Sequence, residues 1–184
     1  MNIVVMKFGG TSIATFENIV KAAEKIEEKT KKSKVIVVLS AMAGGTNSLL
    51  EKIHFRNSNN SAESDLVLST GEQISIGIMS LILNNRGIKS RTWTAWQIPI
   101  HTSNHFGKAR IVNINCENIF NSFSSYDVAV VAGYQGITKD NLISTLGRGG
   151  SDITAVAMAA AFKASQCDIY TDVEGVYTAN PSIV

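Results

Sequence analysis

The sequence predicts an α/β domain built as a three-layer α/β/α sandwich around a mainly parallel sheet. Two observations carry this. Short, continuous apolar runs such as Val35–Leu39 and Val128–Ala132 read as strands buried on both faces, and segments with helical periodicity lie between them. A third observation concerns ligands: glycine-rich and polar segments follow the strands directly, and in parallel α/β folds ligands bind beyond the carboxyl ends of the strands.

The first strand is Ile3-Val4-Val5-Met6, running into Lys7-Phe8-Gly9-Gly10. A helix follows from about Phe16. Phe16, Ile19, Val20, Ala23 and Ile26 recur on one face, Thr15 caps the start, and Glu17/Lys21, Glu27/Lys31 and Glu28/Lys32 form charge pairs on the exposed side. Val35–Leu39 is the second strand. Arg56–Ser64, rich in Asn and Ser, reads as an exposed connection, and Glu72–Leu83 as a largely apolar helix inside the protein. Ile88–Trp93, Val128–Ala132 and Cys167–Tyr170 read as further strands, and Ser151–Lys163 as an Ala-rich helix that can lie close to a sheet. Trp93 and Trp96 are expected in or near the core, and His54, His101 and His105 on the surface.

The bulk properties are those of an ordinary globular chain: 184 residues, 45% hydrophobic and 17% charged. A net charge of +2 gives no case for nucleic acid or an acidic membrane surface. Cys116 and Cys167 have no metal or redox spacing, so both read as reduced thiols of a cytoplasmic protein. Lys29, Lys31, Lys32 and Lys34 read as a solvated helix end favoured by the helix dipole.

Five segments could carry chemistry. In Lys7-Phe8-Gly9-Gly10-Thr11-Ser12 the glycines let a phosphate approach the backbone, and Lys7 can neutralise charge on a transferring phosphoryl group. Read alone, the pair serves equally well as a turn. The lysine precedes the glycines, so this is not a Walker A loop, and no G-x-G-x-x-G is present. Thr46 and Asn47, after the second strand, either bind a carboxylate or cap a helix starting near Ser48. Glu72, in Ser69-Thr70-Gly71-Glu72, either favours a helix start through the dipole or accepts from a substrate ammonium. Gly147-Arg148-Gly149-Gly150-Ser151-Asp152 opens the Ala-rich helix. There the helix terminus and the Arg148 fork suit anions, and Asp152 is a candidate to orient Lys7 or a metal. Tyr177, in Thr171-Asp172-Val173-Glu174-Gly175-Val176-Tyr177-Thr178, either stacks on a base or packs.

Taken in order, these segments resemble the amino-acid kinase superfamily, and its aspartate kinase branch in particular. The matching stretches are Lys7–Ser12, Ser40–Met42, Thr70–Glu72, Val131–Gly136, Thr145–Asp152 and Tyr170–Ala179. The Leu-Gly-Arg-Gly-Gly-Ser-Asp run separates aspartate kinases from the carbamate, acetylglutamate and uridylate kinases that share the fold.

The resemblance implies transfer of the γ-phosphoryl group of ATP to L-aspartate, giving 4-phospho-L-aspartate and ADP, the first step toward lysine, threonine and methionine. It implies that Lys7 is catalytic and organised by Asp152. ATP would be bound by Lys7, Phe8, Gly9, Gly10, Thr171, Asp172 and Tyr177, and aspartate by Thr46, Glu72, Arg148, Gly149, Gly150 and Ser151. Mg²⁺ would arrive with ATP, without a protein metal site. A homodimer and a separate C-terminal polypeptide are the macromolecular partners considered. Gln73, Asn180 and Ser182 depart from the family's Arg, Asp and Arg. The chain is expected to be one kinase domain, incomplete at its C-terminus, without ACT regulatory domains. A catalytically inactive remnant and a kinase for another acceptor are the competing expectations.

Overall fold

The computed structural model describes residues 1–54 and 61–171. Its centre is a sheet of five parallel strands: β1 (Ile3–Phe8), β2 (Lys34–Leu39), β3 (Ser90–Trp93), β6 (Val128–Ala132) and β9 (Gln166–Tyr170), in the order β3-β6-β2-β1-β9. Alternation within the apolar runs divides the core. Val4, Met6, Phe8, Val35, Val37, Leu39, Val128 and Val130 pack on α1 (Phe16–Thr30) and α3 (Ala62–Asn85). Ile3, Val5, Ile36, Val38, Ala129 and Val131 pack on α4 (Glu117–Ser122) and α5 (Gly150–Ala161). Each central strand therefore carries apolar residues on both faces, because each face meets a helical layer. The predicted α/β/α architecture is the one observed.

A second sheet, absent from the sequence reading, has four short strands in the order β5-β4-β7-β8: β4 (Ile100–Thr102), β5 (Ile111–Ile114), β7 (Gln135–Ile137) and β8 (Ile143–Thr145). It is antiparallel except for β4 beside β7. It holds the segment that leads from Thr145 into Arg148.

Several local expectations hold. The Thr15 hydroxyl accepts from the Asn18 N–H and caps α1, and both cysteines are free thiols. The charge pairs differ from those expected. Lys31 pairs with Glu28, and Glu27 pairs with Arg86, just past the end of α3, instead of Lys31. The lysine cluster is paired more than merely solvated: Lys29 meets Asp168 at 3.2 Å and Lys34 meets Asp127 at 2.8 Å. Trp93 is buried, whereas Trp96 is 45% exposed, which corrects the expectation that both lie in or near the core.

Two helix starts also move. The short helix α2 (Gly45–Lys52) begins at Gly44, whose φ of 79° only glycine adopts readily. Thr46 and Asn47 therefore sit in its first turn and do not cap it. The helix expected from Glu72 starts ten residues earlier, where Ser61 caps it by accepting from the Ser64 N–H. Within the expected connection Arg56–Ser64, residues 56–60 lie outside the described residues.

Candidate active site

The carboxyl ends of β1 and β2, the start of α2, the middle of α3 and the start of α5 enclose a cleft of about 530 Å³. Lys7 enters from the next-to-last residue of β1, on the sheet face that α5 covers. It is buried, and its Nζ lies 2.7 Å from Asp152 Oδ1, a charge contact without the direction of a good hydrogen bond. Asp152 can do this because it stands in the first turn of α5, which begins at the end of the sheet where β1 ends.

The loop before α5 needs two glycines in left-handed conformation, Gly147 (φ 80°) and Gly149 (φ 71°). They place Arg148 between them, exposed on the cleft rim. No side chain caps α5; in its first turn the Gly150 and Asp152 N–H groups donate to the carbonyls of Gly147 and Gly149, and the helix's positive end still faces the cleft, which suits an anion. Gly150 is small for a different reason: a methyl there would lie 2.7 Å from the Tyr134 ring.

Glu72 forms the opposite wall. It stands in the middle of α3, so the reading that it stabilises a helix start does not apply. Only 3% of it is exposed. Its Oε1 accepts from the Ala41 N–H at 3.0 Å, and its Oε2 is buried with no partner. Burial raises its pKa to about 7, and the Ala41 N–H opposes the rise only in part.

Lys7, Thr46, Glu72, Arg148, Gly149, Gly150, Ser151 and Asp152 thus share one cleft. The remaining nucleotide candidates are placed differently. The Phe8 ring is buried on the opposite sheet face and stacks on Tyr170, with centroids 4.6 Å apart. Phe8 and Thr171 line a second hollow of about 370 Å³ beside Lys21 and Lys25 of α1. Gly9 lies between the two hollows: a methyl there would be 3.5 Å from Lys7 Nζ and 3.6 Å from Tyr170 O. Gly10 packs against the second loop, and a methyl there would lie 2.7 Å from Ala41 O. Asp172 and Tyr177 lie outside the described residues.

Sequence reasoning missed two residues of this region. Tyr134 lines the cleft with φ 69°, a strained value for an aromatic residue. Its N–H donates to Thr154 Oγ1, and burial raises the pKa of its phenol. Asp65, fully buried one turn into α3, accepts from the Gly107 and Thr145 N–H groups at 2.9 and 2.6 Å and from the Thr145 hydroxyl at 2.9 Å. It ties the second sheet to α3 directly below the Arg148 loop. The signal for it was its spacing: seven residues before Glu72, it falls on the same helix face.

The family model of the amino acid kinase family matches residues 2–184. The chain belongs to the amino acid kinase family. Among relatives of this family, it is 46% identical over 186 residues to an aspartokinase of Bacillus sp. (strain MGA3), with all of the chain and 45% of the relative covered. It is 44% identical over 189 residues to an aspartokinase of Rickettsia conorii, covering all of the chain and 47% of that protein. The chain spans about half the length of the curated relatives it matches. Among solved structures, E. coli aspartokinase III in complex with aspartate and ADP superposes with a TM-score of 0.85 at 27% identity, covering all of this chain and 52% of that one. Aspartate kinase from Synechocystis gives 0.81 at 38% identity, with 98% and 30% covered. An isopentenyl phosphate kinase, at 15% identity and a TM-score of 0.72, shares the amino acid kinase fold.

Proposed function

We propose that the chain is the catalytic part of an aspartate kinase that transfers the γ-phosphoryl group of ATP to the side-chain carboxylate of L-aspartate. The observation that carries this reading is the cleft's polarity. A buried lysine stands beside the α5 terminus at one end, and a buried carboxylate with an unpartnered oxygen stands at the other. An amino acid is complementary to that arrangement. Its ammonium meets Glu72 Oε2, and its α-carboxylate meets the Arg148 fork and the Ser151 region. Its side-chain carboxylate is directed toward Lys7.

The nucleophile is already an anion, so no general base is required. A carboxylate oxygen forms a bond to the γ-phosphorus while the bond from that phosphorus to the bridging oxygen breaks, and ADP leaves with the electron pair. Lys7 offsets the repulsion between the two anions, and Asp152 fixes the ammonium's position. Mg²⁺ belongs to the bound triphosphate, with phosphate oxygens and water as its main ligands. Among the described residues no group of three His, Cys, Asp or Glu side chains could hold a metal. The nucleotide's other contacts are assigned to Phe8, Gly9, Gly10 and Thr171, with Asp172 and Tyr177. The same reading places the chain in the cytoplasm, where ATP is abundant and thiols stay reduced.

The test is aspartate-dependent release of ADP, measured beside calorimetric titration with aspartate and ADP. Lys7→Met should lower turnover at least about 100-fold while circular dichroism stays unchanged. Turnover with acetylglutamate or carbamate but not aspartate would replace the acceptor. The absence of both turnover and binding would make the chain an inactive relative.

A further inference from the structure

We infer that the edge of the central sheet opposite β9 carries a second ligand site, which takes a small flat-ringed carboxylate. β3 is that edge strand, and its Arg91 and Trp93 stand two residues apart on the face that α4 covers. Between them, α4 and the turn after β3 lies a hollow of about 620 Å³, no smaller than the candidate active cleft of about 530 Å³ and sharing no residue with it. Hollows of this size hold small organic molecules.

The charge of the hollow has one sign. Arg91 is the one charged residue of the lining, and no carboxylate faces it there. Its guanidinium lies over the Trp93 ring, 4.1 Å from the centroid, and joins none of the ion pairs among the described residues. Stacking on a buried ring holds the fork in place and leaves its N–H donors to be met. Trp93 itself is 2% exposed, and its indole N–H is buried without an acceptor. A donor that the fold buries and leaves unmet calls for an oxygen from outside the chain.

The rest of the lining sets the ligand's shape. Trp96, 45% exposed, offers a flat face on which a ring can stack. Gln97 Oε1 accepts from the N–H and the hydroxyl of Thr94 at 2.9 Å, and the Asn118 amide donates to the Gln97 carbonyl at 2.7 Å. These bonds fix both side chains and leave the Gln97 amino group and the Asn118 side-chain carbonyl for a ligand's polar edge. One cation matches one negative charge. A phosphate dianion would keep charge uncompensated, and an aromatic amino acid would bring an ammonium that no lining carboxylate receives. A carboxylate meets the Arg91 fork with both oxygens.

The chain has two tryptophans, and both line this hollow, so the indole N–H cross-peaks of a ¹⁵N-labelled sample report on it directly. Trp96→Phe assigns them. Indole-3-acetate should shift both, with a Kd on the order of 100 µM. The neutral indole-3-acetamide should bind at least about ten-fold more weakly, and Arg91→Met should weaken indole-3-acetate by a similar factor. Arg91 is exposed and outside the cleft, so the rest of the spectrum should stay in place. Indole cross-peaks unmoved by millimolar indole-3-acetate and benzoate, equal affinity for the acid and its amide, or an Arg91→Met chain that binds like the parent would each overturn the inference. Tighter binding of AMP or of L-tryptophan would overturn the choice of a carboxylate without an ammonium.

Discussion

Asp65 and Glu72 are two carboxylates on one face of one helix, seven residues apart and both buried, yet their surroundings are opposite. Asp65 receives three hydrogen bonds from Gly107 and Thr145. Glu72 receives one, from Ala41, and has an oxygen with nothing to bond. Burial raises both pKa values; for Asp65 three donors work against the rise. A buried acid whose acceptor capacity is met joins parts of a fold. One left half-satisfied costs the fold free energy and fits a missing cation.

The largest expected effect comes from removing the satisfied member. Asp65→Ala leaves the buried N–H and hydroxyl of Thr145 and the half-buried Gly107 N–H without their acceptor and should cost about 4 kcal/mol, lowering the melting temperature by roughly 10 °C. A melting temperature within a degree or two of the parent would erase the contrast. Glu72→Gln should act in the opposite way. Aspartate affinity, measured by calorimetry, should fall about 100-fold, while stability near pH 8 should not fall.

The pH dependence of stability carries the same distinction. The folded pKa of Glu72, about 7, lies above the ordinary glutamate value of 4.5, so the folded state holds the proton more tightly. Its contribution is fullest below pH 4.5, is lost between 4.5 and 7, and is constant above, a total on the order of 3 kcal/mol. Chemical denaturation across that range should show the decline in the parent and its absence in Glu72→Gln. Thr145→Val removes one of three donors to Asp65 and should cost about 1 kcal/mol. The smallest effect is on binding: aspartate affinity should weaken roughly five-fold from pH 7 to pH 6 as Glu72 takes up a proton, and Glu72→Gln should abolish that dependence.

The central sheet was legible because β1, β2 and β6 are apolar on both faces, a pattern that survives without knowledge of neighbours. The second sheet was not. β4, β7 and β8 have three residues each, and β7 is Gln135-Gly136-Ile137, whose pairing depends on distant segments. The start of α3 was misplaced because Ser69-Thr70-Gly71 looks like a helix boundary. In the fold the two hydroxyls bond back to the carbonyls of Leu66 and Val67, which a helix interior permits. That error placed Glu72 at a helix end and hid Asp65. In the cleft, Lys7, Glu72, Arg148 and Asp152 could be listed from sequence. The strained Tyr134 could not, since its role follows from the turn between two sheets.

Ala41 is pressed between two glycines. A methyl on Gly10 would lie 2.7 Å from its carbonyl oxygen, and a methyl on Gly71 would lie 2.8 Å from its own methyl. The strand loop bearing Lys7, the loop that offers its amide to Glu72, and the helix bearing Glu72 are thus stacked at the minimum thickness a polypeptide allows. The bore between the two ends of the cleft is gauged by hydrogen atoms. A redesign that aims to admit a longer acceptor has slack to add there and none to remove.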